Sequence, residues 1–294
     1  MEPIRDAVSI PITEETQIAA ARRASAEFCR RLGLSDAVVA RAELASVELA
    51  GNILHHAQRG TMFLGPTADG AGLQMIAADC GPGLGDLERA MRDGFSTHAT
   101  PGLGLGAVRR KADHLDVYSR PGAGVVLAAI FRDTAAPPDH TAVLSTPIRG
   151  EAVNGDSWAI YSSSGASPQR DVYLLVDGLG HGYYAAQAAS TARTVADRAL
   201  ADDPAMPLSA LVQRMHAPMQ STRGAAVLLV SVAGDKAVCC GIGNISAVLC
   251  ARDGSTRNLV SHNGTVGHRM ARVQEFDSLF APGTLLVMHS DGVS

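Results

Sequence analysis

No stretch of this 294-residue chain approaches the roughly 20 consecutive apolar residues needed to cross a bilayer, and membrane insertion is set aside. Runs of Lys and Arg are missing too, as is any mixture of basic and aromatic residues. With 25 basic residues against 29 acidic ones the net charge is −4, so a protein or small-molecule partner is expected and not a nucleic acid. The five cysteines, Cys29, Cys80, Cys239, Cys240 and Cys250, are odd in number and lack Cys-x-x-Cys spacing, which excludes a disulfide framework or a zinc site of that kind. The opening Met1-Glu2-Pro3-Ile4-Arg5-Asp6 has no apolar signal core. Together these absences predict a reduced, cytoplasmic protein. What the chain does have is 46% hydrophobic residues, enough for two cores, and two domains are expected.

The first half is organised around Asp79-Cys80-Gly81-Pro82-Gly83-Leu84-Gly85. The apolar run 73–78 before it reads as a buried strand and 86–91 after it as a short helix, which places a carboxylate at a strand end facing a glycine-rich loop. Glycines let backbone approach a ligand closely, and Asp79 can accept a hydrogen bond from an exocyclic amine such as that of adenine. Upstream, Ser35 and Asp36 cap a helix read through His56, in which Glu48 and Asn52 stand at i, i+4 on one face. Such a pair can hold a hydrated Mg²⁺ through the amide oxygen and activate a hydroxyl through the acid; a solvated polar face is the plain alternative. Downstream, Thr100-Pro101-Gly102-Leu103-Gly104-Leu105-Gly106 opens a helix read over 107–114, whose free N–H groups and positive dipole end can receive phosphates. His55 and His56, at the end of the long helix, are read as structural.

These motifs, in this order, resemble the GHKL ATPase/kinase fold over residues 5–132, and within it the RsbT-type serine kinases and anti-sigma factors of bacterial partner switching. The resemblance implies Glu48 as general base, Asn52 as Mg²⁺ ligand and Asp79 as adenine ligand, with Gly81, Gly83, Gly102, Gly104 and Gly106 lining the nucleotide. One departure bears on affinity and base selectivity: where the family has Gly-x-Gly-Thr in its last hairpin, this chain has Gly122-Ala123-Gly124-Val125. Around these motifs the pattern predicts a strand over 7–12, a helix capped by Thr13 and running to Arg31, and strands at 61–64, 115–118 and 125–130. A mixed sheet covered by helices on one face is expected. Periodicity is lost between Arg132 and His140, which sets domains at 1–133 and 139–294.

The second half carries strands over 158–161, 171–176, 225–232, 237–242, 246–250 and 284–289, and an alanine-rich helix over 183–200. Three aspartates stand next to strands: Asp156 in Asn-Gly-Asp-Ser, Asp177 in Asp-Gly-Leu-Gly-His-Gly and Asp291 in Ser-Asp-Gly. Asp-Gly pairs alone mostly mark turns. Converging carboxylates, however, suit Mg²⁺ or Mn²⁺ and can hold two such ions roughly 3.5–4 Å apart to orient a water on a phosphate ester. His181, between two glycines, is read as shaping the loop or contacting a phosphate. Cys239 and Cys240, adjacent in a strand, must point to opposite faces and are read as small buried hydrophobes.

With Gly241-Ile242-Gly243-Asn244 these motifs resemble the SpoIIE/RsbX branch of the metal-dependent PPM-type serine/threonine phosphatases. The resemblance implies metal-binding roles for Asp177, Asp291, the Gly178 carbonyl and Asp156. The chain ends at Ser294, before the closing helix and last acidic motif of that family, so a truncated copy of the fold is expected. The fold class expected for the whole is α/β (α+β) in two domains: a GHKL (Bergerat) two-layer sandwich, then a PPM α-β-β-α four-layer sandwich. The implied cofactors are ATP with Mg²⁺ in the first and Mn²⁺ or Mg²⁺, as two ions, in the second. The implied partner is a STAS-domain anti-sigma antagonist or stressosome protein, with a sigma factor as a further candidate. The implied function is a bifunctional kinase and phosphatase of partner switching. The alternatives are a non-catalytic ATP-binding module that holds a sigma factor or STAS partner, or an ATP sensor regulating a phosphatase.

Overall fold

The computed structural model describes residues 5–85, 104–134, 140–163, 169–270 and 272–293. The chain divides into two compact units, Met1–Thr146 and Pro147–Ser294. The division falls later than the expected start at 139. Residues 140–146 pair with the first unit instead: the Ser145 carbonyl accepts from the Ala7 N–H at 2.7 Å, and the Val143 carbonyl accepts from the Gln74 side chain at 3.0 Å. Gln74 is buried, so its carboxamide needs that partner.

The first unit runs β1 (Val8–Ile12), α1 (Glu15–Arg31), α2 (Asp36–Asn52), a π-helical turn (Ile53–Ala57), β2 (Gly60–Pro66), β3 (Gly72–Asp79), α3 (Gly104–Lys111), β4 (His114–Arg120) and β5 (Gly124–Arg132). Its strands form one five-stranded sheet in the order β1-β2-β3-β5-β4. Every pair is antiparallel, where a mixed sheet was expected. Side chains from α1, α2 and α3 share one core with the sheet, around Phe28, Leu49, Ile53, Leu64, Met75, Val108 and Phe131. The two long helices meet through small residues: buried Ser25 and Ser46 bond to each other at 3.2 Å, so the helix backbones come close.

Three local expectations change. Glu14, not Thr13, caps α1, because Gln17 folds back to accept from the Glu14 N–H at 2.9 Å and the Thr13 hydroxyl at 3.2 Å. The α-helical part of α2 ends at Asn52, and the π turn follows up to the left-handed Gln58. Finally, α3 begins at Gly104 and not at Ala107, and His114 opens β4. The helix read over 86–91 lies outside the described residues.

In the second unit β6 (Asp156–Ser162), β7 (Arg170–Gly178), β8 (Ala225–Ala233), β9 (Lys236–Ile242) and β14 (Phe276–Leu279) form an antiparallel sheet in the order β14-β9-β8-β7-β6. A smaller sheet joins β10 (Ser246–Cys250) to β11 (Thr256–Asn258) and β15 (Leu285–His289), and β12 (Gly264–Thr265) pairs with β13 (Arg269–Met270). One face of the large sheet is covered by α4 (Tyr183–Asp202) and α5 (Leu208–Met219), where the buried alanines 188, 192 and 196 of α4 let the helix lie close. The other face, with Leu228, Val230 and Cys239, packs on Ala247, Leu286 and Met288 of the small sheet. Among the described residues this gives three of the four expected layers: helices, sheet, sheet. Cys240 points to the helices and Cys239 to the small sheet, and burial pushes both thiols up to about 12, so neither is reactive.

Candidate active sites

In the first unit, α2 carries Glu48 and Asn52 to one end of the sheet, helped by its cap: the Ser35 hydroxyl accepts from the Val38 N–H at 3.4 Å. Glu48 is half-buried, and the Gly104 N–H at the start of α3 donates to its carboxylate. Burial raises the Glu48 pKa and the Gly104 bond only partly offsets this, which makes the carboxylate a stronger base than a free glutamate. The acid of the helix motif and the glycine-rich helix start, 56 residues apart in sequence (48 to 104), therefore meet in space. Asn52 stands one turn further along, half-buried, with no capping bond to the π turn it opens.

Asp79 ends β3, facing Gly60 on β2 and Val125 on β5. Its Oδ1 accepts from the Gly81 N–H at 2.8 Å and the Val125 N–H at 3.3 Å, which fixes the carboxylate rotamer through backbone alone. Glycine is demanded here by space. A Cβ at Gly124, whose φ is +96°, would fall 1.9 Å from the Asp79 carbonyl oxygen, and one at Gly81 would fall 2.7 Å from the Ala57 Cβ in the π turn. Gly83 is held in turn: a Cβ there would lie 2.5 Å from the Arg120 carbonyl, and the next N–H, of Leu84, donates to the Ser119 hydroxyl at 2.7 Å. Gly106 is buried in the first turn of α3. Gly102 lies outside the described residues.

The second site forms where β6 starts and β7 ends. Asp156 and Asp177 are register partners across that pair, and Gly178 follows, bonded through its N–H to the Gly155 carbonyl at 3.1 Å. A Cβ at Gly178 would fall 2.1 Å from the Ala185 carbonyl, so only glycine lets α4 pack against the strand end. Asp291, just past β15, is close enough for its charge to be felt at Asp177. Burial, the Asp156 and Asp291 charges and a hydrogen bond shared with Asp156 push Asp177 up to about 6. That rise comes from burial first and from the two neighbouring carboxylates second. Two residues that the sequence supplied only as parts of motifs hold the acids: the Ser290 hydroxyl donates to Asp156 Oδ2 at 2.6 Å, and the Asn244 amide to Asp291 Oδ2 at 3.2 Å. Among the described residues no group of three or more His, Cys, Asp or Glu side chains is already arranged as a metal cage. The donor set itself, carboxylates converging at one sheet end, has the charge and hardness that a divalent cation takes.

The glycine loop after Asp177 is pinned from both sides. The Leu179 N–H donates to the Gly224 carbonyl at 3.0 Å, and His181 Nδ1 meets Glu151 Oε1 at 2.6 Å. Glu151 carried no signal in the sequence, because it lies 30 residues from its partner and in no motif.

Two family descriptions match the chain: "Histidine kinase-like ATPase domain" over residues 10–131 and "Stage II sporulation protein E (SpoIIE)" over residues 168–294. Over 129 residues, 43% of this chain and 97% of the relative, the chain is 36% identical to the serine/threonine-protein kinase RsbT of Bacillus subtilis strain 168. The chain belongs to the RsbT-related histidine kinase-like ATPase family, and its residues 168–294 match the SpoIIE description. Among solved structures it is similar to a chain of the bacterial stressosome (24% identity, 50% of this chain and 74% of that one, TM-score 0.45). It is likewise similar to RsbX in complex with magnesium (16% identity, 51% and 72%, TM-score 0.45).

Proposed function

We propose that this chain both phosphorylates and dephosphorylates a switch serine or threonine on a STAS-domain anti-sigma antagonist or stressosome protein. The observation that carries the reading is that each unit gathers, at one end of its own sheet, the acidic groups its chemistry needs: Glu48 on the Gly104 N–H in the first, Asp177 with Asp156 and Asp291 in the second. In the kinase-like unit Asp79, through the oxygen left free by Gly81 and Val125, accepts from the adenine amine. The N-terminal turn of α3 faces the phosphates, and Glu48 takes the proton of the attacking hydroxyl. Asn52 supplies the oxygen for Mg²⁺, which when bound neutralises phosphate charge.

In the phosphatase unit Asp156, Asp177, Asp291 and the Gly178 carbonyl would hold Mn²⁺ or Mg²⁺, with Ser290 and Asn244 releasing their carboxylate oxygens. Such ions supply Lewis acidity at the phosphoryl group and lower the pKa of water. Asp177 must be ionised to take part, which its pKa of about 6 permits at neutral pH. Asp177→Asn is expected to eliminate Mn²⁺-stimulated dephosphorylation of a phosphoserine protein; full retention of that activity sinks the assignment.

A second reading, in which the first unit binds nucleotide only as a sensor or docks its partner without transferring phosphate, is favoured by Val125. Its side chain offers no hydrogen bond beside Asp79, where the kinases it resembles place a threonine.

A further inference from the structure

The surface next to the acid cluster carries one cation that the proposed phosphatase chemistry has not used. Arg223 lies on the segment leading into β8, at the same sheet end as the acids. Register places Asp177 opposite Ala226 and Gly178 opposite Ala225, and the Leu179 N–H bonds to the Gly224 carbonyl. Arg223 therefore stands three residues before the partner of Asp177, roughly 10 Å along the strand direction. Its side chain reaches over the glycine loop, where a Cβ added at Gly180 would come within 3.0 Å of Arg223 Nη1. The guanidinium carbon lies over the ring of Tyr184, 4.9 Å from its centroid, and Tyr184 itself is met edge-on by Tyr183 at 5.5 Å.

That arrangement has a chemical consequence. A guanidinium held over an aromatic ring by cation–π attraction loses freedom yet keeps N–H donors for a phosphate, which a guanidinium can grip through two parallel bonds. The neighbouring imidazole differs. His181, on the same loop, is already engaged by Glu151, Nδ1 to Oε1 at 2.6 Å. Arg223 has no carboxylate partner among the described residues. A phosphate dianion approaching three aspartates meets strong repulsion, and an uncompensated cation beside them offsets it.

Resting on the phosphatase reading of the acid cluster, we infer that Arg223, held by Tyr184, binds the phosphoryl group of the substrate and of the inorganic phosphate product at the mouth of the second site. Tyr184 acts as a positioning residue, fixing the plane in which the guanidinium offers its donors.

The test uses the full chain with Mn²⁺, p-nitrophenyl phosphate as substrate and inorganic phosphate as inhibitor and as calorimetric ligand. Arg223→Ala should raise KM and weaken phosphate inhibition by about tenfold each, with kcat within about threefold of the parent. Arg223→Lys should recover part of the loss, and Tyr184→Leu should show a smaller shift of the same kind. The Mn²⁺ concentration for half-activation and the Tm should not move, which separates a binding role from a structural one. Unchanged KM and unchanged phosphate affinity in Arg223→Ala overturn the inference. Asp177→Asn in parallel keeps the two claims apart: if it stays fully active, the reading of the acid cluster has failed. Phosphate affinity measured calorimetrically still reports on Arg223 in that event, and equal affinity in parent and Arg223→Ala counts against it.

Discussion

Asp177 is a carboxyl whose surroundings oppose its charge: burial first, then Asp156 and Asp291, move it from 3.8 to about 6. Because the folded state holds its proton more tightly than the unfolded chain does, the Asp177 contribution to stability is full below about pH 4 and is lost as pH rises through about 6. Metal-free protein is therefore expected to lose Tm between pH 5 and pH 7.5, and Asp177→Asn to lose less of it. Parallel curves for the two proteins would contradict the assignment. Asp69 runs the other way. Burial raises it, but hydrogen bonds from Thr67, the Ala71 N–H and Arg132, with the Arg132 charge, prevail and lower it, so its contribution is kept at neutral pH and lost only on acidification through that lowered pKa. Glu48 is raised by burial and touches Gly104. Glu48→Ala is expected to reduce phosphotransfer by roughly 10²–10⁴ while leaving ATP affinity within a few-fold, read by calorimetry beside a transfer assay. Undiminished transfer removes Glu48 from the mechanism.

Among the elements, the β3–β5 pair and the π turn converge on the Asp79 loop. The strand ending in Asp79 was legible from an apolar run followed by a glycine loop, and α2 from its Ser35 cap and spaced Glu48 and Asn52. The π turn was not legible: Ile53–Ala57 continues the helical pattern, and β2 packs closely against it at Gly60. A Cβ at Gly60 would fall 2.7 Å from Ile53 Cγ2, a contact with no local sequence signature. Nor was the early start of α3 legible, since glycines at 104 and 106 argue locally against a helix, and it is the Glu48 carboxylate that satisfies the Gly104 N–H. Arg41 shows the same limit. It bonds the Lys111 and Arg132 carbonyls at 2.7 and 2.8 Å and Asp113 at 3.2 Å, tying α2 to α3 and β5 across sequence separations that no motif spans. At this scale Gly124→Ala is the sharpest perturbation. It forces a Cβ to within 1.9 Å of the Asp79 carbonyl at a positive φ and is expected to cost on the order of 3 kcal/mol, with ATP affinity falling in parallel. An unchanged unfolding midpoint would mean that the hairpin is not held as described.

At the level of the whole molecule, two units with separate cores and separate acidic sites lie on one chain. The order of motifs made this division legible, whereas the partners of Ser145 and Val143, the Ala7 N–H and the Gln74 side chain on β3, lie far from them in sequence and carried no local signal. Under the proposed function, phosphate placed by the first unit is removed by the second. The most direct measurement is transfer of labelled γ-phosphate from ATP to a STAS-domain protein by the Asp177→Asn variant, followed by addition of the unmutated chain with Mn²⁺. Label that appears on a serine or threonine of the STAS protein and is then released as inorganic phosphate is the predicted result. No label on the partner, with ATP still bound, would contradict the kinase half of the account and leave the first unit as a sensor or binder.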